Sequence, residues 1–271
     1  MSESESIEAS PRPSTVESIR AALHTLGVES GQTLLVHSSL SALGFVSGGA
    51  QAVIEALIET VGNQGTVVVP THSAALSDPA NWGNPPVPEA WWEEIRETMP
   101  AYDPHATPTR AMGVIPELFR RLPDVQRGEH PAFSFAARGP LAETIVAEQS
   151  LEDPFGEDSP LSRLYELEAS VLLLGVGYDS CTSLHLAERR AQGSHAKRLR
   201  TGAPVRESGV RIWKAYEEFE VSSDDFARLG AEFETETKAV SVARVGQGET
   251  RRVPVRPLVL FATDWIQQHR L

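Results

Sequence analysis

The sequence predicts an α/β protein: a single-domain layered sandwich with a largely parallel central sheet, helices on both faces and a smaller C-terminal β-rich part. Three observations carry that expectation. The apolar segment TLLVHSS, a helix-patterned stretch from Ala50 to Val61 and the segment TVVVP follow one another as strand, helix and strand, a βαβ crossover whose strands run parallel. The run VLLLGVG is apolar almost throughout, as a strand buried on both faces must be, and a helical pattern follows it. Beyond residue 200 the pattern shortens to strands and turns. With 271 residues, 41% of them hydrophobic and 23% charged, the chain can bury a sizeable core.

In chain order, residues 1–13 (MSESESIEASPRP) are polar and poor in large apolar side chains, which predicts a disordered tail before a folded domain at 14–271. Val16, Ile19, Ala22, Leu23 and Leu26 recur at helical spacing, with Ser14 or Thr15 as N-cap and Gly27 past the end. The strand TLLVHSS opens into a loop of small residues. A second helix carries Val53, Ile54, Leu57 and Val61 on one face, and the turn GNQG leads into TVVVP. Residues 72–110 are rich in proline and hold Trp82, Trp91 and Trp92 around one short helix near 88–97. Loops of this length serve as lids or binding loops, the alternative being a surface insertion packed on its own tryptophans. A helix then runs from Gly113 to a stop at Pro123, AFSFAARG reads as a strand, and 159–167 as a helix with Ser159 as N-cap and Pro160 at its first position. VLLLGVG and a helix from Thr182 follow, then the short strands, and a closing helix near 262–269.

Charge narrows the partners. The formal net charge is -13, from 24 basic and 37 acidic residues; nucleic acid and anionic membrane both need a positive face, so neither is expected, and a cationic partner is. One cysteine, Cys181, excludes an intramolecular disulfide and any cysteine-rich metal site. The N-terminal segment has no signal-peptide pattern, and no apolar run reaches the roughly 18 residues of a membrane span. A cytoplasmic protein is expected, without a metal. A homodimer is admitted as an assembly; the residues leave the oligomeric state open.

The chemistry concentrates in GVGYDSCTSLHLAE, residues 175–188. Gly175 and Gly177 imitate a dinucleotide turn, but Ser180 stands where the third glycine belongs, and no acidic residue closes a second strand some 20 residues on. Cys181 and His185 stand four apart, a spacing open to a thiolate nucleophile with its base, although two side chains on one helix are poorly placed for in-line attack. His185 with Glu188 is the more economical pair, because positions i and i+3 let the carboxylate orient the imidazole; Asp179 is placed to cap the helix or hold the other ring nitrogen. A satisfied interior histidine remains the alternative. VHSSLSALG also lies at a parallel strand end, where α/β proteins bind ligands, and its small residues leave backbone N–H groups accessible to phosphate or thioester oxygen.

Taken together and in order, LLVHSSLSALGFVSGGAQAVIEAL, GNQGTVVVPT, YDPHATPTRAMGVIPELFRRLPDVQRGEHPAFSFAARGP and SPLSRLYELEASVLLLGVGYDSCTSLHLAE resemble the aminoglycoside 3-N-acetyltransferase family. The resemblance implies direct acetyl transfer, in a ternary complex, from acetyl-coenzyme A to the 3-amino group of a 2-deoxystreptamine aminoglycoside, conferring antibiotic resistance. It implies His185 as general base with Glu188 or Asp179 as its helper. It also implies a coenzyme A channel lined by His37, Ser38 and Ser39 of VHSS, by Arg110, Met112, Gly113 and Val114 of TRAMGV, and by Ser134 of HPAFSF. A polycationic sugar needs acidic contacts, for which Asp78, Asp158 and Glu217 are the candidates. The alternatives are the same transfer to another amine, such as an aminophosphonate or amino sugar in a biosynthetic pathway, or a non-catalytic acyl-CoA-binding protein.

Overall fold

Alternate residues of each central strand enter different cores, and that alternation fixes the layers. Leu34, Val36, Val67, Val69, Leu172 and Leu174 join one apolar cluster, while Leu35, Val68, Val171 and Leu173 join the other. Because side chains on a strand alternate between its faces, one sheet is covered by helices on both sides.

The computed structural model describes residues 3–193 and 196–270. The helices are α1 (Glu3–Ala9), α2 (Val16–Thr25), α3 (Gly49–Val61), α4 (Trp92–Thr98), α5 (Val114–Phe119), α6 (Ala142–Val146), α7 (Pro160–Glu166), α8 (Ser183–Gln192), α9 (Phe226–Thr237) and α10 (Val255–His269). The strands are β1 (Thr33–Ser38), β2 (Thr66–Pro70), β3 (Gln126–Arg127), β4 (Phe135–Arg138), β5 (Ser170–Leu174), β6 (Arg198–Glu207), β7 (Val210–Phe219), β8 (Ser241–Val245) and β9 (Gly248–Pro254). Seven strands form the central sheet in the order β3-β4-β2-β1-β5-β9-β8. β1 pairs in parallel with β2 and with β5, and the flanking strands pair antiparallel. The α/β class therefore holds, with its parallel register at the centre of the sheet. Helices α2, α3 and α5 supply Leu23, Leu57 and Phe119 to one core, and α7, α8, α9 and α10 supply Leu164, Leu184, Phe233 and Leu258 to the other. Each such fully buried side chain contributes about 1.5–3 kcal/mol of transfer free energy.

Capping chemistry sets the helix starts as the sequence predicts. Thr15 and Ser18 form a reciprocal capping box on α2, and Ser159 accepts the Ser162 amide at the head of α7, with Pro160 in the first turn.

Three regions depart from expectation. In place of a disordered tail at 1–13, residues 3–9 are helical. Ser10 Oγ donates to the Ser6 carbonyl (2.7 Å) and accepts the Phe45 amide (2.8 Å), bonds that composition does not reveal. The C-terminal part is less purely β than expected: β6 and β7 form a separate two-stranded ribbon, β8 and β9 complete the main sheet, and α9 and the full length of α10 stand where turns and a short helix were read. The insertion at 72–110 docks on that ribbon through backbone and side-chain bonds, Tyr102 N–H to the Pro204 carbonyl (2.9 Å) and Asn81 Nδ2 to the Arg200 carbonyl (2.9 Å).

Candidate active site

β1, β2 and β5 end together: His37 and Ser38 are the last residues of β1, and the chain beyond β2 and β5 carries His72 and the turn into α8 with His185. The parity of β1 assigns these to two sides. His37 follows Leu35 toward the core that contains α8, and Ser38 follows Val36 toward α3 and α5.

On the first side, His185 stands in the first turn of α8, its side chain 13% exposed. Its ring stacks on Phe155 (centroids 5.0 Å apart, planes at 25°) and packs against Phe226 (4.9 Å). His185 Nδ1 lies 3.0 Å from Glu188 Oε2. A carboxylate only accepts, so Nδ1 carries the proton and Nε2 keeps its lone pair. Glu188, 1% exposed, is held in turn: its Oε1 accepts Arg270 Nη1 (2.6 Å) and the Ser222 amide (3.0 Å). Arg270 is itself anchored on Asp225 and on the Ser222 carbonyl. The result is a fixed imidazole whose Nε2 meets no hydrogen-bond partner among the described residues.

Two further histidines stay neutral beside it. Burial, and after it repulsion from His185, lowers His37 to about 3. Burial does the same for His72, with His185 and His37 adding to it. A proton arriving here is therefore held by neither His37 nor His72. Cys181 is 1% exposed and burial pushes its thiol up to about 12, so it remains a thiol at neutral pH and the nucleophile reading of this helix loses its thiolate.

On the second side lies a cleft of about 660 Å³ lined by Ser38, Ser39, Met112, Gly113 and Val114, together with Gly49 at the start of α3 and Val176 and Ser180 of the turn before α8. Ser38 Oγ is shielded yet has no hydrogen-bond partner among the described residues. Ala111 and Gly113 take left-handed φ values of 59° and 84°, which turn this segment against the strand end. A salt-linked clamp supports it: Glu117 Oε2 accepts the Thr109 amide (2.9 Å) and hydroxyl (2.8 Å) and Arg120 Nε (2.9 Å). Burial opposes ionisation of Glu117, but the bonds from Arg120 and Thr109 outweigh it and hold the carboxyl down at about 2.

The other expected site residues are placed elsewhere. His37 is buried and lies 3.4 Å from Thr182 Oγ1, away from the cleft lining. Arg110 is exposed, and its amide donates to the His72 carbonyl (2.8 Å). Ser134 is fully buried, its hydroxyl engaged by Thr71 and Arg127, so it is a structural link rather than a wall of the cleft. Asp179 is exposed and makes no bond to His185, whose Nδ1 is already taken by Glu188. Asp78 caps its own turn and is neutralised by Arg96 Nη2 at 2.7 Å. Asp158 is exposed before α7. Glu217 points outward from β7, whereas Glu218, on the face of the buried Tyr216, lines a cavity of about 270 Å³ with Phe133, Phe155 and Phe219. Sequence reasoning preferred Glu217 to its neighbour Glu218 among the acidic candidates, and passed over Phe155, Phe226 and Arg270. Strand parity with Tyr216 is the signal that separates Glu218 from Glu217.

Residues 35–267 match the family described as aminoglycoside 3-N-acetyltransferase. The chain belongs to that family. It is 47% identical to the SPbeta prophage-derived aminoglycoside N(3')-acetyltransferase-like protein YokD of Bacillus subtilis (strain 168), across 96% of this chain and 94% of that protein. The crystal structure of YokD has a TM-score of 0.95 at 46% identity, covering 98% of each chain. Identity to aminoglycoside N(3)-acetyltransferase VIII of Streptomyces fradiae is 35%, over 98% of this chain and 96% of the relative. The structure of AAC-IIIb in binary complex with CoASH has a TM-score of 0.83 at 30% identity, covering 95% and 97%. Within the family, the two-sided strand end described above is this chain's candidate catalytic centre.

Proposed function

We propose that this aminoglycoside 3-N-acetyltransferase family member moves the acetyl group of acetyl-coenzyme A to the 3-amino group of a 2-deoxystreptamine aminoglycoside, giving antibiotic resistance, with His185 as general base. The observation that carries this reading is His185 itself, locked on Glu188 through Nδ1 and free at Nε2. The coenzyme enters the cleft beside Ser38, Ser39 and Gly113; the first turn of α3 at Gly49 offers phosphate the positive end of a helix dipole. The acceptor approaches from the side of Phe155 and Glu218. An amine that is mostly protonated at neutral pH gives one proton to Nε2, its nitrogen bonds to the acetyl carbonyl carbon, the carbon–sulfur bond breaks, the second proton of that nitrogen passes to the departing thiolate of coenzyme A, and the imidazolium returns the first to solvent. Glu188 offsets the charge on the imidazolium, and direct transfer relies on the positioning of both substrates.

Purified protein with acetyl-coenzyme A and a panel of 2-deoxystreptamine aminoglycosides is expected to release free thiol, with the product acetylated at N3 by mass spectrometry and NMR. Absence of thiol release with every member of the panel defeats the proposal.

Glu218 anchors a second ammonium of the acceptor. Burial pushes its carboxyl up to about 7, so the anchoring charge is present above that pH and is lost as pH falls through it. Glu218→Gln is therefore expected to raise the acceptor KM about tenfold at pH 8, the scale of one charge-assisted hydrogen bond, and to change it little at pH 6. An acceptor KM equal to the wild type's at pH 8 removes Glu218 from the site.

A further inference from the structure

Arg127 is the one residue of the two-residue strand β3 that turns inward, and its guanidinium makes six hydrogen bonds, all to neutral oxygens. Nε donates to Thr71 Oγ1 (3.2 Å) and Ser134 Oγ (3.1 Å). Nη2 donates to the Thr71 carbonyl (2.8 Å) and Ser73 Oγ (3.3 Å), and Nη1 to the carbonyls of Thr107 (2.5 Å) and Pro104 (3.2 Å). The guanidinium carbon sits 5.2 Å from the centroid of the Tyr102 ring, whose hydroxyl donates to the Gly128 carbonyl (2.7 Å). Among the described residues no carboxylate pairs with it.

A partly buried cation without a counterion is costly to keep, and a fold that keeps one obtains something from its geometry. Here the planar fork spans two separate segments. Thr71 and Ser73 flank His72 at the end of β2. Pro104 and Thr107 belong to the turn that runs, through Thr109 and Arg110, into the Ala111–Gly113 wall of the cleft. The Arg110 amide closes the link by bonding the His72 carbonyl. The two sides of the catalytic centre thus meet through one side chain that touches neither of them.

We propose that Arg127 is a positioning residue that holds the 104–113 loop against the end of β2 and thereby sets the affinity for acetyl-coenzyme A. This rests on the assignment of the Ser38–Gly113 cleft to the coenzyme. Lysine keeps the charge but cannot span six acceptors in one plane, so Arg127→Lys frees the loop without deleting a cation.

For Arg127→Lys the acetyl-coenzyme A KM is expected to rise about tenfold, the scale of one or two lost hydrogen bonds, with the acceptor KM and kcat within about twofold of wild type. Amide hydrogen exchange should accelerate at 105–113 and stay unchanged in β1 and β5. The double variant Ser73→Ala/Ser134→Ala, which keeps Arg127 but removes two of its acceptors, should show the same split at smaller amplitude and carries the test if Arg127→Lys does not fold. A uniform loss in both KM values, or unaltered exchange at 105–113, overturns the proposal. Accelerated exchange with an unchanged acetyl-coenzyme A KM overturns it too, and places the coenzyme away from this loop. Failure of the wild-type protein to turn over at all is a different result, which defeats the proposed reaction and leaves the exchange measurement to judge the loop.

Discussion

Replacing His185 with alanine or glutamine is expected to lower kcat by roughly 10²- to 10⁴-fold, the usual contribution of a positioned general base, in assays of thiol release at neutral pH. The affinity for acetyl-coenzyme A should be almost unchanged, because the cleft beside Ser38 and Gly113 lies on the other side of the sheet end from the imidazole. Glutamine fills more of the space between Phe155 and Phe226 than alanine does, so the pair of variants separates lost packing from lost basicity. A base is needed because the acceptor amine arrives protonated. The deficit should therefore narrow as pH rises and solvent deprotonates more of the amine. Turnover within tenfold of wild type at neutral pH would falsify the role, and a deficit that is constant with pH would mean that His185 only positions the acceptor.

Much of this centre was legible because it is local. His185 and Glu188 are three apart, and any helix there brings them together; the parallel strands announce themselves as apolar runs separated by one helical pattern. The partners that come from afar were not. Arg270 reaches Glu188 across 82 positions, and nothing in SLHLAE names it. Ser134 reads as an available hydroxyl in HPAFSF until the packing puts Arg127 and Thr71 around it. Helix α9, with Gly230 inside it, escaped a reading of this part of the chain as short strands and turns. In the structure that glycine sits where a Cβ would lie 2.1 Å from the Tyr178 ring, so close packing between helix and turn, rather than a chain reversal, calls for it. The β6–β7 ribbon was read as short strands because β6 buries residues 201–204 in a row and β7 buries only Tyr216, so neither shows the apolar alternation that marks a half-buried strand.

Glu188→Gln offers the sharpest separation of structure from mechanism. The wild-type carboxylate accepts on both oxygens: Oε2 from His185 Nδ1, and Oε1 from Arg270 Nη1 and the Ser222 amide. An amide has one accepting oxygen. Arg270 and Ser222 N–H can only donate, so the oxygen turns toward them and the NH₂ faces His185. The imidazole answers by accepting at Nδ1 and carrying its proton on Nε2, which leaves no lone pair aimed at the acceptor. kcat is expected to fall by about 10²- to 10⁴-fold, as when an orienting carboxylate of a catalytic histidine becomes an amide, while both KM values stay near wild type. Thermal unfolding should register only about 1–2 kcal/mol, because the amide still serves Arg270, which also keeps Asp225. Glu188→Ala removes every acceptor at once and should cost about 3–5 kcal/mol as well as the activity. The two variants thus lose similar turnover at different stabilities. NMR of the histidine nitrogens in Glu188→Gln reads the tautomer directly: a proton found on Nδ1, or turnover close to wild type, breaks the link between Glu188 and the free lone pair of His185.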